Sequence, residues 1–406
     1  MVASPIAPGR NHNRDEVFTL EDYRNRYALY RLDPDLQDAH AAYPFLVTWD
    51  DHEVDNNYAG LTAEESATFQ GGDFLIRRLN AYRVYGESMP LHPRVRMRGT
   101  SPGLNLTRSF RFGALANLYL LDTRQFRGDQ PAGDNFGSTD PDSLALEPVL
   151  GETLLDAEGI RNPSATLLGQ AQERWLAREL RASRSTWNVL AQQVMVMPWN
   201  LQKAARASLA FDPTIPEALR PAILAAADRV DNLWNIDAWD GYPAARERLL
   251  GMLGALRPNN PVVITGDIHS AWAAQLLSDF ANPGGADMLA AEFVATSISS
   301  TFLGTDPRPT HLIVRASLVD NPHIDYFNGL FRGYCLCDVD ANRFQTTYRA
   351  VGDLASLGDP GELALVPFRE TPVATDAVYE VAAGFNAPGS GQRLVESFRR
   401  PLPAPF

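Results

Sequence analysis

The chain has 406 residues, with 36 Lys+Arg against 49 Asp+Glu and a formal net charge of −13. Hydrophobic residues make up 45% and charged residues 21%, which excludes an intrinsically disordered chain and leaves room for one large domain or two ordinary ones. The acidic balance excludes a general nucleic-acid or anionic-membrane binder, and no apolar run reaches the ~20 residues of a membrane span.

The start, MVASPIAPGRNHNRDE, is polar, lacks the basic and apolar regions of a secretory signal, and reads as a frayed segment, residues 1–16. Residues 19–31 are predicted helical, opened by a capping box in which Asp22 takes the usual Glu position opposite Thr19. Residues 34–42 follow as a second helix with Pro34 at its first position. PFLVTWDD (44–51) reads as a buried strand that ends in carboxylates. Residues 72–85 are predicted helical, with Phe74, Leu75, Leu79 and Tyr82 near helical spacing. RVRMRG (94–99), RSFRFG (108–113) and LANLYLLDT (115–123) read as strands. Residues 124–168 are rich in Gly, Pro, Asp and Ser, and a loop of that length in a compact domain serves as a lid or is flexible. A helix over 169–184 feeds a strand, STWNVLAQQVMV (185–196). Residues 198–242 are irregular and aromatic-rich, 243–256 form a helix, and PVVITGDIH (261–269) is a short buried strand with a turn. AEFVATSIS (291–299), GYCLCDVD (333–340) and RFQTTYRAV (343–351) read as strands, and the tail after 352 is weakly patterned. Cys335 and Cys337, two apart in one strand, make no disulfide framework and read as small core residues.

Two segments share one design, an apolar strand that stops abruptly in an Asp/His cluster. FLVTWDDHE carries Asp50, Asp51, His52 and Glu53, and VVITGDIHSAW carries Asp267 and His269 after Gly266. In α/β proteins ligands bind beyond the carboxyl ends of strands. Asp-x-His sets two metal-competent groups two residues apart, and a glycine before it lets the backbone turn sharply. Of seven histidines, two fall in these clusters, so a metal or acid/base site is the sharper reading and a solvated loop the plainer one. A strand carrying Gln192 and Gln193 has two buried amides that need partners, as core hydrogen bonds or as oxygen ligands to a hard cation. In YLLDTRQFR, Asp122 and Arg124 form an ion pair or a phosphate clamp.

Taken in order, TLEDYRNRYALYRLDPDLQDAHAAYPFLVTWDDHEVDNNYAG (19–60), FRFGALANLYLLDTRQFR (110–127), WLARELRASRSTWNVLAQQVMV (175–196), WDGYPAARERLL (239–250) and NPVVITGDIHSAWAAQL (260–276) resemble the alkaline phosphatase D (PhoD-like) family of calcineurin-like metallophosphatases. NPHIDYFNGLFRGY (321–334) adds a weaker match. The resemblance implies an α/β fold, a four-layer αββα sandwich over residues 17–352, followed by an irregular carboxyl-terminal extension, 353–406. It implies hydrolysis of small phosphate esters, monoesters first and diesters second, with two metals that hold the phosphoryl oxygens and activate water. DDHE aligns with the superfamily's Gly-Asn-His-Asp/Glu turn, which makes Asp51 a metal ligand and His52 the acid/base group. GDIH aligns with its Gly-His-x-His turn, which makes Asp267 and His269 ligands, with Gln193 in place of an intervening His. Replacing imidazoles by Asp and Gln makes one position oxygen-rich, which favours Ca²⁺ over zinc, and the family is associated with Ca²⁺ and Fe³⁺. Glu53, Asn56 and Asn57 would orient these ligands, Asp50 would support them or pair with a neighbour, and Arg124 would contact phosphate.

The family's first half-site, a strand-end Cys and a Gly-Asp-x-x-Tyr turn that bind iron, lies upstream of the matched segments, and residues 1–18 contain neither. The chain therefore reads as a member lacking its amino-terminal strands, with the iron site incomplete. The rival expectation is a truncated, non-catalytic metal- or phosphate-binding remnant. The family is usually exported, and an export signal would also lie upstream.

Overall fold

Short, almost wholly apolar runs form the parallel centre of the molecule, as expected of strands covered on both faces. The computed structural model describes residues 16–63, 72–91, 104–131, 162–200, 235–298, 308–351 and 373–401, with the single positions 217, 221, 300 and 302. One sheet contains β1 (Arg108–Phe112), β2 (Ala116–Leu120), β3 (Trp187–Ala191), β4 (Pro261–Thr265), β5 (Ala271–Leu277), β6 (Met288–Val294) and β7 (Ile324–Asn328). Its order is β1-β2-β3-β4-β6-β5-β7, with β2, β3, β4 and β6 parallel and β1, β5 and β7 antiparallel to their neighbours. A second, antiparallel sheet contains β8 (Arg332–Val339), β9 (Arg343–Val351), β10 (Val373–Ala382) and β11 (Val395–Arg399) in the order β11-β10-β9-β8.

The helices are α1 (Leu20–Arg31), α2 (Pro34–Ala42), α3 (Gly72–Ser88), α4 (Gly169–Ala182), α5 (Pro243–Leu256) and α6 (Arg308–Ser317). The period-2 alternation of the strands sorts their side chains between two cores. Leu190 and Val263 pack with Leu176 and Leu180 of α4, Leu249 and Leu253 of α5 and Val314 of α6. Trp187, Val189 and Val262 face the other way and pack with Phe344, Tyr348, Tyr379 and Val381 of the second sheet. Helices, seven-stranded sheet and four-stranded sheet thus form successive layers of an α/β sandwich. A third core joins α1 and α3 to Trp49, Val54 and Tyr58. The capping box at Thr19 and Asp22 is present, and Pro34 opens α2. No helix among the described residues is long and apolar enough to cross a membrane.

Several elements differ from expectation. Residues 44–50 form no strand ladder, although Val47 and Trp49 alternate inward. Side chains take their carbonyls instead: Arg108 donates to Val47 O and Gln193 to Trp49 O. On α3, Leu75 is exposed and its place in the buried stripe goes to Arg77 and Arg78, whose guanidiniums pack over the rings of Phe18 and Tyr82. The third strand stops at Ala191, so Gln192 and Gln193 lie past its end.

Within the described part of the tail, β10 and β11 complete the second sheet. Register shifts at Thr375/Ala377 and Val378/Tyr379 break the period-2 pattern that would have announced them. On β8, the sheet's edge strand, Cys335 is half-buried against the core between the sheets, as expected, while Cys337 is exposed and not a core residue; both are free. The frayed start up to residue 15, the run 94–99 and most of the loops at 124–168 and 198–242 lie outside the described residues.

Candidate metal centre

The carboxyl ends of β2, β3, β4 and β6 lie side by side, and the ladder continues a residue or two past them. Leu121 N donates to Ala191 O (2.9 Å), Gln192 N to Ile264 O (3.1 Å), Gly266 N to Gln193 O (2.9 Å) and Ala295 N to Thr265 O (2.9 Å). Asp122-Thr123-Arg124, Gln192-Gln193 and Gly266-Asp267-Ile268-His269 therefore emerge together. The segment around Thr48–Asn57 is fixed beside them by Gln193. The Gln193 amide donates to Trp49 O (2.7 Å), Thr48 Oγ1 (2.9 Å) and Leu121 O (3.1 Å), and its oxygen accepts from Thr123 N (3.1 Å) and Thr123 Oγ1 (2.6 Å).

Both acceptor positions of that amide oxygen are occupied by Thr123, so in this structure Gln193 clamps the site's backbone. Gln193→Ala should lower stability by about 3 kcal/mol, since several buried polar groups lose partners at ~1–3 kcal/mol each. Urea unfolding measures it, and a loss below about 1 kcal/mol would remove the clamp from this account.

Donor oxygens of Asp50, Asp51 and Asp267 lie within 4.8 Å of one another. Arg124 reaches into this cluster from behind and is fully buried. Its Nε donates to Asp50 Oδ1 (2.6 Å), and its Nη2 lies 3.8 Å from Asp51 Oδ2 and 3.7 Å from Asp267 Oδ1. A guanidinium so held is buried among carboxylates in this structure.

Three further groups complete the network, and sequence reasoning missed them: Asp237, Arg127 and Gln130. Asp237 Oδ1 accepts from Arg124 Nη1 (2.8 Å), Arg127 Nη1 (2.6 Å) and Gln130 Nε2 (3.2 Å). The one available signal was a carboxylate within the aromatic run NIDAWDGY.

The backbone of both turns is unusual. Asn57 (φ 48°), Asp267 (φ 69°) and His269 (φ 57°) adopt the left-handed conformation, which Asn, Asp and His tolerate better than other non-glycine residues. Strain of this kind gathers at functional sites. Gly266 itself keeps a negative-φ or extended backbone, and a Cβ there would meet nothing within 4 Å. The sharp turn is made by Asp267 and His269, not by the glycine.

Burial pushes the Asp51 carboxyl up, but Arg124, His52 and the amides of Asn57 (2.9 Å) and His52 (2.8 Å) outweigh it and hold Asp51 below the usual carboxylate range. Burial, with Asp50 and Asp51 adding repulsion, drives Asp267 well above that range, and burial likewise raises Asp50. Glu53, which accepts from Asp50 N (2.7 Å), is pushed up to about 7 by burial. His52 is exposed at the rim, and the charge on Asp51 raises its pKa. His269 is half-buried, and its carbonyl accepts from Thr296 Oγ1 (3.1 Å). Asn56 is half-buried, and Asn57 acts through its backbone.

Four carboxylates thus face two guanidiniums, which leaves the ionised cluster short of two positive charges. An oxygen-only donor set with that deficit fits a hard divalent cation. Among the described residues no second group of three His, Cys, Asp or Glu side chains converges. The two thiols lie on β8, and burial pushes the Cys335 thiol up.

Behind the centre, Glu292 of β6 is wholly buried and accepts from Val196 N (2.8 Å) and Met197 N (2.7 Å), which fixes the backbone that follows Gln193. Burial pushes its pKa from 4.5 up to about 7, against those amides. A raised carboxyl contributes stability that is fully present below about pH 4.5 and is lost as pH rises through about 7. Glu292→Gln should flatten that decline by one proton, read as the slope of unfolding free energy against pH. An unchanged slope would mean that Glu292 ionises as freely as in the unfolded chain.

The fold and site define a class, an α/β sandwich with a carboxylate–guanidinium centre beyond the carboxyl ends of its parallel strands. The chain belongs to the PhoD-like phosphatase family, whose sequence model matches residues 2–348. It is 39% identical over 343 residues to alkaline phosphatase D of Bacillus subtilis (strain 168), covering 84% of this chain and 50% of that protein. A solved structure of PhoD superposes with a TM-score of 0.74 at 34% identity, covering 99% of this chain and 64% of the other. The chain spans about half the length of the curated relative it matches.

Proposed function

We propose that the chain hydrolyses small phosphate esters, monoesters ahead of diesters, with Ca²⁺ held by Asp51 and Asp267 and supported by Asp50. The observation that carries this reading is the cluster itself: three strand-end carboxylates whose donor atoms lie within 4.8 Å of one another, in a network short of positive charge. A bound hard cation would supply Lewis-acid polarisation of the phosphoryl group and offset its charge.

The protein's own groups do the rest. Arg124 lowers repulsion among the carboxylates from the buried side. The amides of His52 and Asn57 fix the Asp51 carboxylate, leaving it in one orientation toward the cluster. The His52 ring stands at the exposed rim, kept protonated to higher pH by Asp51, where it can donate to the leaving oxygen. His269 lies in the same turn as Asp267 and is half-buried.

The test is hydrolysis of p-nitrophenyl phosphate and bis(p-nitrophenyl) phosphate by the purified chain. Turnover should appear with calcium, vanish on addition of EGTA and return when calcium is restored. Turnover indifferent to chelation would refute the cation, and calcium binding with no turnover would make the chain a binding protein.

A further inference from the structure

Resting on the reading of Asp51 and Asp267 as cation ligands, we infer that Asp237 is a positioning residue that holds the Arg124 guanidinium away from both and so keeps the cation site open. Asp237 meets two faces of the fork: Oδ1 accepts from Nη1 at 2.8 Å, and Oδ2 lies 2.6 Å from Nη2. With Nε bound to Asp50 at 2.6 Å, the guanidinium plane is set. In that plane Nη2 stops 3.7 Å from Asp267 and 3.8 Å from Asp51, close enough to offset charge and too far to hydrogen-bond.

A buried guanidinium that loses Asp237 keeps Asp50 on Nε but leaves both Nη groups without a carboxylate at hydrogen-bond distance, at zero exposure, and these must find another acceptor. The nearest alternatives are Asp267 and Asp51, the oxygens the cation needs. Arg124 would then compete with the cation.

Asp237 can act as a fixed stop because it is itself held. Arg127 and Gln130 donate to it, and its turn is clipped to the segment after β3 by Trp239 N to Met195 O (3.2 Å) and Trp199 N to Asp240 Oδ2 (3.0 Å). The turn closes on Gly241, where a Cβ would lie 1.8 Å from Ile236 O.

Calcium titrations by calorimetry on the whole chain test this. Asp237→Asn should weaken calcium binding by ~10–100-fold, the range for partners that orient a metal site from behind. Its crystal structure should show Arg124 moved to hydrogen-bond distance of Asp267 or Asp51. In an Arg124→Met background the same change should alter affinity by no more than about twofold, since nothing remains to be held back.

Circular dichroism reads folding. If Asp237→Asn does not fold, Asp237→Glu, which shifts the charge by one methylene, takes its place with the same expected direction. No calcium binding by the unaltered chain would fail the cation reading itself. Binding by the unaltered chain with no loss in the variant, or an equal loss in both Arg124 backgrounds, would overturn the role of Asp237 alone.

Discussion

Replacing Asp267 by asparagine is expected to cut phosphate-ester turnover by ~10³-fold or more and to weaken calcium binding together with it. Asparagine is the informative substitute because residue 267 has φ 69°, a conformation that asparagine tolerates and alanine does not. The change therefore removes the charge and keeps the turn. Asp267 is the carboxylate most opposed by its neighbours, with burial, Asp50 and Asp51 all working against its ionisation. A cation is what makes that ionised cluster tolerable. The cation-free variant should accordingly be at least as stable as the unaltered chain in thermal unfolding at pH 8. Lost activity with full calcium affinity would show that Asp267 acts on substrate and not on the cation.

His52→Ala should lower kcat by ~10²–10⁴-fold, the usual contribution of a general acid or base, and leave calcium affinity and stability nearly unchanged. The side chain is exposed, so its loss opens no cavity, and the hydrogen bond from residue 52 to Asp51 comes from the backbone amide, which alanine retains. Because Asp51 raises the His52 pKa, the protonated acid persists to higher pH and activity should fall as pH rises through that value. The alkaline limb of the profile should vanish in the variant. If His52→Ala emptied the site of calcium, the division between acid and ligand would be wrong.

The two carboxylate clusters were legible because each ends an apolar run abruptly, and local patterning carries that contrast. Their meeting place was legible only through the rule that ligands collect at the carboxyl ends of parallel strands. Residues 44–50 alternate like a strand, yet whether backbone or side chains satisfy their carbonyls depends on Arg108 and Gln193, distant in sequence. Gln193 was read for the chemistry of its amide, and only the fold shows that Thr123 occupies its oxygen. Asp237 was invisible because its turn has no periodicity and its worth lies in two guanidiniums more than 100 residues earlier in the chain. The second sheet's last strands were hidden by bulges at the positions where alternation should have continued.

The central claim is that Asp51 and Asp267 hold one hard cation at the strand ends. Anomalous diffraction from crystals of the chain grown with calcium tests it most directly. The account predicts an anomalous peak bonded to carboxylate oxygens of both residues, with the Gln193 amide still turned toward Thr123. A well-ordered cluster with no peak, or a calcium ion bound elsewhere while Arg124 bridges Asp51 and Asp267, would contradict it.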